Sequence, residues 1–138
     1  MSNKCEKQVI QSEKAPRPVG PYSVAVKGCH FVFMSGQLGL DPNSQNLVEG
    51  GIEAQTRQAL VNLKEILNSI EASLSDVVKT TVFLEDINDF AAMNKVYSEF
   101  FVKNPPARST IQAAALPKGG LVEIEAVALV QHHCNCSG

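Results

Sequence analysis

The chain has 138 residues, 44% of them hydrophobic and 19% charged, with a formal net charge of −2. That length suits a single domain, residues 1–138, with its own hydrophobic core, and the near-neutral balance supports neither a nucleic-acid nor a membrane surface. No apolar run could span a bilayer and the first residues lack the apolar core of a signal peptide, so the default expectation is a cytoplasmic protein, with mitochondrion and nucleus as alternatives.

In chain order, Lys7 to Gln11 reads as a short first strand. Ala15 to Ser23 holds three prolines and a glycine, which exclude regular structure and stiffen the backbone. Tyr22 in that loop is either a packing aromatic with a wet hydroxyl, which composition favours, or part of a site. Val24–Val26 and His30–Met34 are strand-like, with Lys27-Gly28 as the expected hairpin turn. Ser35-Gly36-Gln37 ends the second of them, and Gly36 allows either a bulge or close approach of a ligand. His30 reads as a surface strand residue. A polar loop from Leu40 to Gly51 leads into a helix predicted from Ile52 to about Ala72. Its stripe of Ala59, Leu60, Leu63, Ile66, Leu67 and Ile70 reads as core, and Glu53 in the first turn suits the helix dipole.

Val77 to Glu85 is rich in β-branched residues and reads as a strand. Asp86 to Asp89 holds helix-capping residues, and Phe90, Met93, Tyr97, Phe100 and Phe101 mark a second helix ended by Asn104-Pro105-Pro106. Asn94 has no periodic reason to be buried. Two apolar runs then flank Leu116-Pro117-Lys118-Gly119-Gly120 and predict a β-hairpin. The order β-ββ-α-β-α-ββ predicts an α+β domain, a two-layer arrangement of two helices on one sheet.

The last arm alternates. Val122, Ile124, Ala126, Ala128 and Val130 form a purely apolar face that should pack on the helices. Leu121, Glu123, Glu125, Val127 and Leu129 form a mixed face, which another subunit should cover. Arg108, Thr110, Gln112 and Ala114 share a face of the first arm. A hairpin centred on Lys118 places Arg108 about five residues from Glu123, roughly 17 Å, so the two should meet only across a subunit boundary. Arginine grips carboxylates through two parallel hydrogen bonds, and a carboxyl among apolar groups can shuttle protons near neutral pH. That kit suits addition of water to a small carboxylate-bearing molecule. An Arg–Glu salt bridge that specifies assembly is an equal reading of the same residues. No phosphate-cradling motif is present and no covalent nucleophile is indicated.

The four cysteines, Cys5, Cys29, Cys134 and Cys136, form no regular framework and are expected as free thiols in a reducing compartment. His132, His133, Cys134 and Cys136 invite a metal hypothesis, but they are local and no second cluster completes a tetrahedral site; a polar tail from about residue 132, with no metal, is preferred.

The chain strongly resembles the RidA/YjgF family of reactive-intermediate deaminases, close to its animal members. The matching stretches are Gly20-Pro21-Tyr22-Ser23, Ser35-Gly36-Gln37, Val77–Val82, Asn88-Asp89-Phe90, Pro106-Ala107-Arg108, Leu116–Gly119 and Val122–Ala126, in order over nearly the whole chain. The resemblance implies a chorismate-mutase-like α+β fold and a homotrimer with active sites between subunits. It implies cofactor-free hydrolysis of small 2-imino acids such as 2-aminoacrylate, 2-iminopropanoate and 2-iminobutanoate to 2-keto acids and ammonium. Arg108 matches the arginine that binds the substrate carboxylate and Glu123 the glutamate that positions or activates water. Tyr22, Ser35, Gly36 and Asn94 match residues lining the pocket. Thr110 stands where many bacterial members have cysteine, a position thought to act mainly through its backbone. Ribonuclease activity with translation inhibition, or chaperone-like binding without catalysis, are the rival functions the resemblance carries.

Overall fold

The computed structural model describes residues 5–131; the metal hypothesis for residues 132–136 lies outside them. Six strands and two α-helices alternate along the chain: β1 (Gln8–Ile10), β2 (Ala25–Gly28), β3 (Phe31–Leu38), α1 (Gly51–Asn68), β4 (Val77–Leu84), α2 (Phe90–Phe100), β5 (Ala107–Gln112) and β6 (Val122–Leu129). The α+β reading and its element order hold. The strands form one sheet in the order β1-β2-β3-β6-β4-β5. All neighbours are antiparallel except β4 and β5, whose parallel pairing is bridged by α2.

The expected C-terminal hairpin does not form. Its arms run antiparallel, but β4 lies between them, pairing with β5 on one side and β6 on the other. The crossover through α2 docks β5 on the outer edge of β4, so the returning chain reaches past β4 to the gap beside β3. The connection carries the expected turn signals as a 3-10 turn at Pro117–Gly119, with Lys118 and Gly119 at positive φ. Turn residues specify a reversal of direction, not the strand that becomes the neighbour. The first hairpin also turns elsewhere than expected. Gly28 still pairs with Phe31, and Cys29, at φ 55, opens a two-residue loop with His30.

The core fills the space between one sheet face and the helices. From the sheet come Val32, Met34, Val82, Leu84, Val122, Ile124, Ala126 and Ala128; α1 adds the expected stripe Ala59, Leu60, Leu63, Ile66 and Leu67; α2 adds Met93 and Tyr97. Ile70 lies beyond the end of α1 and is only partly buried. Arg57 of α1 and Glu99 of α2 pair at 2.7 Å on the exposed side of the helix layer.

The opposite sheet face has no helix over it. Phe31, Phe33 and Leu129 stand together at one end of it, and Ile111 stands two strands away toward the other end, all between 40% and 53% exposed.

The free-thiol expectation fails for two of the cysteines: Cys5 and Cys29 form a disulfide, their Cα atoms 4.8 Å apart. The β1–β2 register, with Gln8 opposite Lys27, brings the residues before β1 alongside the β2–β3 turn, a proximity that sequence spacing does not reveal.

Asn62 was not distinguished in the sequence and is fully buried on α1. Its amide donates to the carbonyls of Leu38 (3.2 Å) and Leu40 (2.9 Å), where β3 ends, and its oxygen accepts from Gln58 Nε2 at 2.9 Å. Buried polar groups stripped of partners are costly, so Asn62→Ala should lower stability by about 2–4 kcal/mol, measured by urea denaturation; a loss within experimental error would show that water replaces the amide.

Candidate active site

The sequence-predicted residues fall into two groups, one on each side of the sheet. The first surrounds Glu123 on the uncovered face. Near its end, β3 carries one extra residue relative to β6: Met34 pairs with Ala126 and Gln37 with Ile124, so three steps on one strand oppose two on the other. The extra residue lets both Met34 and Gln37 turn inward while Ser35 and Gly36 stay partly open. Gly36 lies directly under the Glu123 side chain. A Cβ there would strike the carboxylate oxygen and stand 2.9 Å from the carboxyl carbon and 3.0 Å from Cγ, so what glycine permits here is the close approach of the Glu123 side chain, not an unusual φ.

Ser35 fastens β3 to the proline-rich loop: its N–H donates to the Val24 carbonyl (2.9 Å) and its hydroxyl to the Ser23 carbonyl (2.7 Å). Gln37 Nε2 donates to the Ser35 carbonyl at 3.2 Å. Tyr22 is about half exposed, and its hydroxyl oxygen accepts from the Val19 N–H at 3.2 Å, bracing the loop internally. Tyr22 and Gly36 line one cleft with Pro16 and Leu38, and Tyr22 and Ser35 line a second with Phe33 and Glu125. Partial burial pushes the Glu123 carboxyl above its ordinary pKa, and the neighbouring negative charge of Glu125 adds to the effect.

The second group surrounds Arg108. Its register partner is Thr80, whose side chain is buried in the core, so Arg108 leaves β5 on the helix side. The guanidinium lies against α2, its carbon 4.7 Å from the centroid of Tyr97 and 5.4 Å from that of Phe90. Phe90, Asn94 and Tyr97 follow one another at helical spacing, which puts Asn94 on the same side of α2 as the two rings. Thr110 lies two residues beyond Arg108 on the same side of β5, and its Oγ1 is buried with no hydrogen-bond partner. Among the described residues no carboxylate lies within ion-pair distance of Arg108. Burial raises the Tyr97 pKa, while the Thr80 hydrogen bond and then the Arg108 charge act the other way.

β5 is an edge strand. Ala113 donates its backbone N–H to the Leu84 carbonyl at 2.8 Å. Backbone groups alternate sides along a strand, so those of Thr110 and Arg108, an odd number of steps away, face the free edge. The site therefore offers a cation and strand-edge N–H groups together, a combination suited to a carboxylate.

Arg108 and Glu123 do not meet within the chain. Glu123 lies opposite Phe83 and Phe83 opposite Ile111, so Arg108 is three residues along and two strands across, on the other face of the sheet. The estimate of five residues assumed the hairpin; the separation itself stands. The sequence reading missed Thr80, Phe90 and Tyr97 as neighbours of Arg108. Phe90 and Tyr97 were assigned to the core stripe, and the signal that could have separated them was their spacing around Asn94.

Residues 12–130 match the family model described as endoribonuclease L-PSP. A human protein named 2-iminobutanoate/2-iminopropanoate deaminase is 50% identical over 123 residues, covering 89% of this chain and 90% of its own. A RutC family protein of Pyrococcus abyssi is 51% identical over 122 residues, covering 88% and 96%. The crystal structure of RidA from the Antarctic bacterium Psychrobacter sp. PAMC 21119 superposes with a TM-score of 0.86 at 48% identity, covering 89% of this chain and 99% of that one. The chain belongs to the endoribonuclease L-PSP family, the RidA/YjgF family that its motifs resemble.

The Gly36–Glu123 contact is testable without any substrate. Gly36→Ala should force the carboxyl outward into solvent, and its pKa should fall toward the ordinary carboxylate value, read by carbon-13 NMR titration of Glu123. An unchanged pKa would mean that the strand moves instead of the side chain.

Proposed function

We propose that the chain is a 2-iminobutanoate/2-iminopropanoate deaminase that works as a homotrimer in the cytoplasm, each active site joining Arg108 of one subunit to Glu123 of the next. The observation that carries this reading is the division of the site: an unpaired arginine on one side of the sheet and a desolvated carboxyl on the other, beside an uncovered apolar face. A second copy packed on that face would bring the two half-sites together. Relatives at about half identity bear the deaminase name, and the ribonuclease alternative is not favoured. No helix among the described residues is long and apolar enough to cross a membrane.

Arg108, Thr110 and Asn94 form the carboxylate end of the proposed site. The guanidinium donates two parallel hydrogen bonds to the substrate carboxylate, and the free-edge N–H of Thr110 adds a third donor. Tyr22, Ser35 and Gly36 form the opposite wall. Glu123, as carboxylate, takes a proton from water while the water oxygen bonds to the carbon of the protonated imine and the C=N electron pair moves to its nitrogen. The product is a carbinolamine. Glu123, now protonated, gives its proton to the amine nitrogen, the C–N bond breaks, and ammonia leaves as the hydroxyl collapses to the keto group and releases its own proton. The imine carbon is already electrophilic, so positioning and proton transfer are the protein's contribution.

Arg108→Ala should reduce kcat/KM for ammonia release from freshly generated 2-iminobutanoate by about a hundredfold or more, since two charge-assisted hydrogen bonds are lost, while sedimentation still reports a trimer. Wild-type rates in that variant would overturn the proposal, as would RNA cleavage without imine hydrolysis by the same preparation.

Glu123 must be ionised to accept a proton, so kcat should fall as pH drops through its raised pKa, a limb displaced upward from the ordinary carboxylate range. Glu123→Gln should keep 2-keto acid binding, slow turnover and abolish that limb; loss of assembly would instead assign Glu123 a structural role.

A further inference from the structure

Arg108 sits in a setting that leaves its donors free yet holds its plane. We propose that Tyr97, anchored by Thr80, is a positioning residue for the Arg108 clamp and sets how tightly the site holds a carboxylate-bearing substrate. This inference rests on the imine-hydrolysis reading and deepens it.

The arrangement is a triangle across three elements. Thr80 and Arg108 are register partners on β4 and β5, so their side chains leave adjacent strands on the same face. Tyr97 reaches over both from α2: its ring centroid is 4.7 Å from the guanidinium carbon, and its hydroxyl lies 2.7 Å from Thr80 Oγ1. Thr80 is fully buried and Tyr97 is 6% exposed, so neither partner of that hydrogen bond has water as a ready substitute. A ring tethered at its hydroxyl cannot swing off the guanidinium. Its negative π face attracts the cation without occupying any N–H donor. A protein carboxylate would hold the arginine as firmly but would compete with the substrate for the same donors. Phe90 makes the second ring contact at 5.4 Å, but it is 40% exposed and has no polar group to fix it. Tyr97 is therefore the fixed wall. An arginine already ordered against it loses less side-chain entropy when the substrate arrives.

The test compares KM and kcat for 2-iminobutanoate hydrolysis, the Kd of 2-oxobutanoate by calorimetry, and the melting temperature across five variants. Tyr97→Leu should raise KM and Kd together by about three- to thirtyfold, the range of a partly desolvated cation–π contact, with kcat essentially preserved. Tyr97→Phe, Thr80→Val and the double variant should show one common, smaller rise in KM, because all three break the same hydrogen bond. A fall in melting temperature with KM unchanged in Tyr97→Leu would leave Tyr97 a core residue and overturn the proposal. Additive effects in the double variant would overturn the tether. Should Tyr97→Leu fail to fold, the two nearly volume-conserving single variants decide the question by the same KM criterion. Arg108→Ala is the fifth variant. If it loses 2-oxobutanoate binding while Tyr97→Leu keeps it, the positioning role fails and the clamp stands; if it binds as wild type, the clamp reading itself fails.

Discussion

A sheet covered by helices on one face only must sort its side chains by parity, and nearly everything in this protein depends on β6 doing so. Val122, Ile124, Ala126 and Ala128 are almost completely buried against the helices, while Glu123, Glu125, Val127 and Leu129 stand on the other side. Because β6 pairs on both edges, with β3 and β4, its parity is imposed on both neighbours. A slip of one residue would drive two carboxylates into the core and expose four apolar side chains, so the register is fixed by burial energy. The extra residue in β3 is tolerated where it lies because it preserves this parity: Met34 and Gln37 face inward on either side of it, and glycine occupies the position beneath the carboxylate.

The same sorting keeps the cation and the carboxyl apart. Had Arg108 and Glu123 shared a face at short range, the guanidinium would have lowered the carboxyl pKa and the carboxylate would have occupied the arginine's donors. Each would have satisfied the other and neither would have been free for chemistry. Placed on opposite faces, Glu123 has its pKa raised by burial and by Glu125, and Arg108 is held by aromatic rings alone. The separation within the chain leaves the carboxyl untied to a guanidinium and the guanidinium untied to a carboxylate.

What the sequence revealed and what it concealed divide along the range of the interactions involved. The α1 stripe and the two faces of β6 were legible because periods of 3.6 and 2 residues are written in consecutive positions, and the capping region at Asp86 because its residue types are local. Asp86 does cap the short turn before α2, accepting from the Asn88 N–H at 2.9 Å. The neighbours of β5 and β6 were not legible, because strand pairing is decided by which edges remain free once α2 has crossed the sheet. The Cys5–Cys29 link and the Thr80–Tyr97 hydrogen bond join residues 24 and 17 positions apart, and no local pattern announces either. Of the candidate site, the chemical types were readable in place, as charges where a strand should be apolar. Their grouping became visible only through family resemblance and then through the fold.

Thr110 shows how a position beside Arg108 divides between side chain and backbone. Its hydroxyl is buried without a partner, so nothing in the chain depends on the oxygen being there. A slightly larger sulfur at the same place would displace no hydrogen bond and would bury with less penalty. What the position does supply is backbone: a strand-edge N–H on the same strand as Arg108, facing away from β4. That donor is independent of the side chain as long as β5 keeps its parallel register with β4, in which Arg108 lies opposite Thr80 beneath Tyr97. The guanidinium and the strand edge beside it lie within one packing arrangement of β4, β5 and α2.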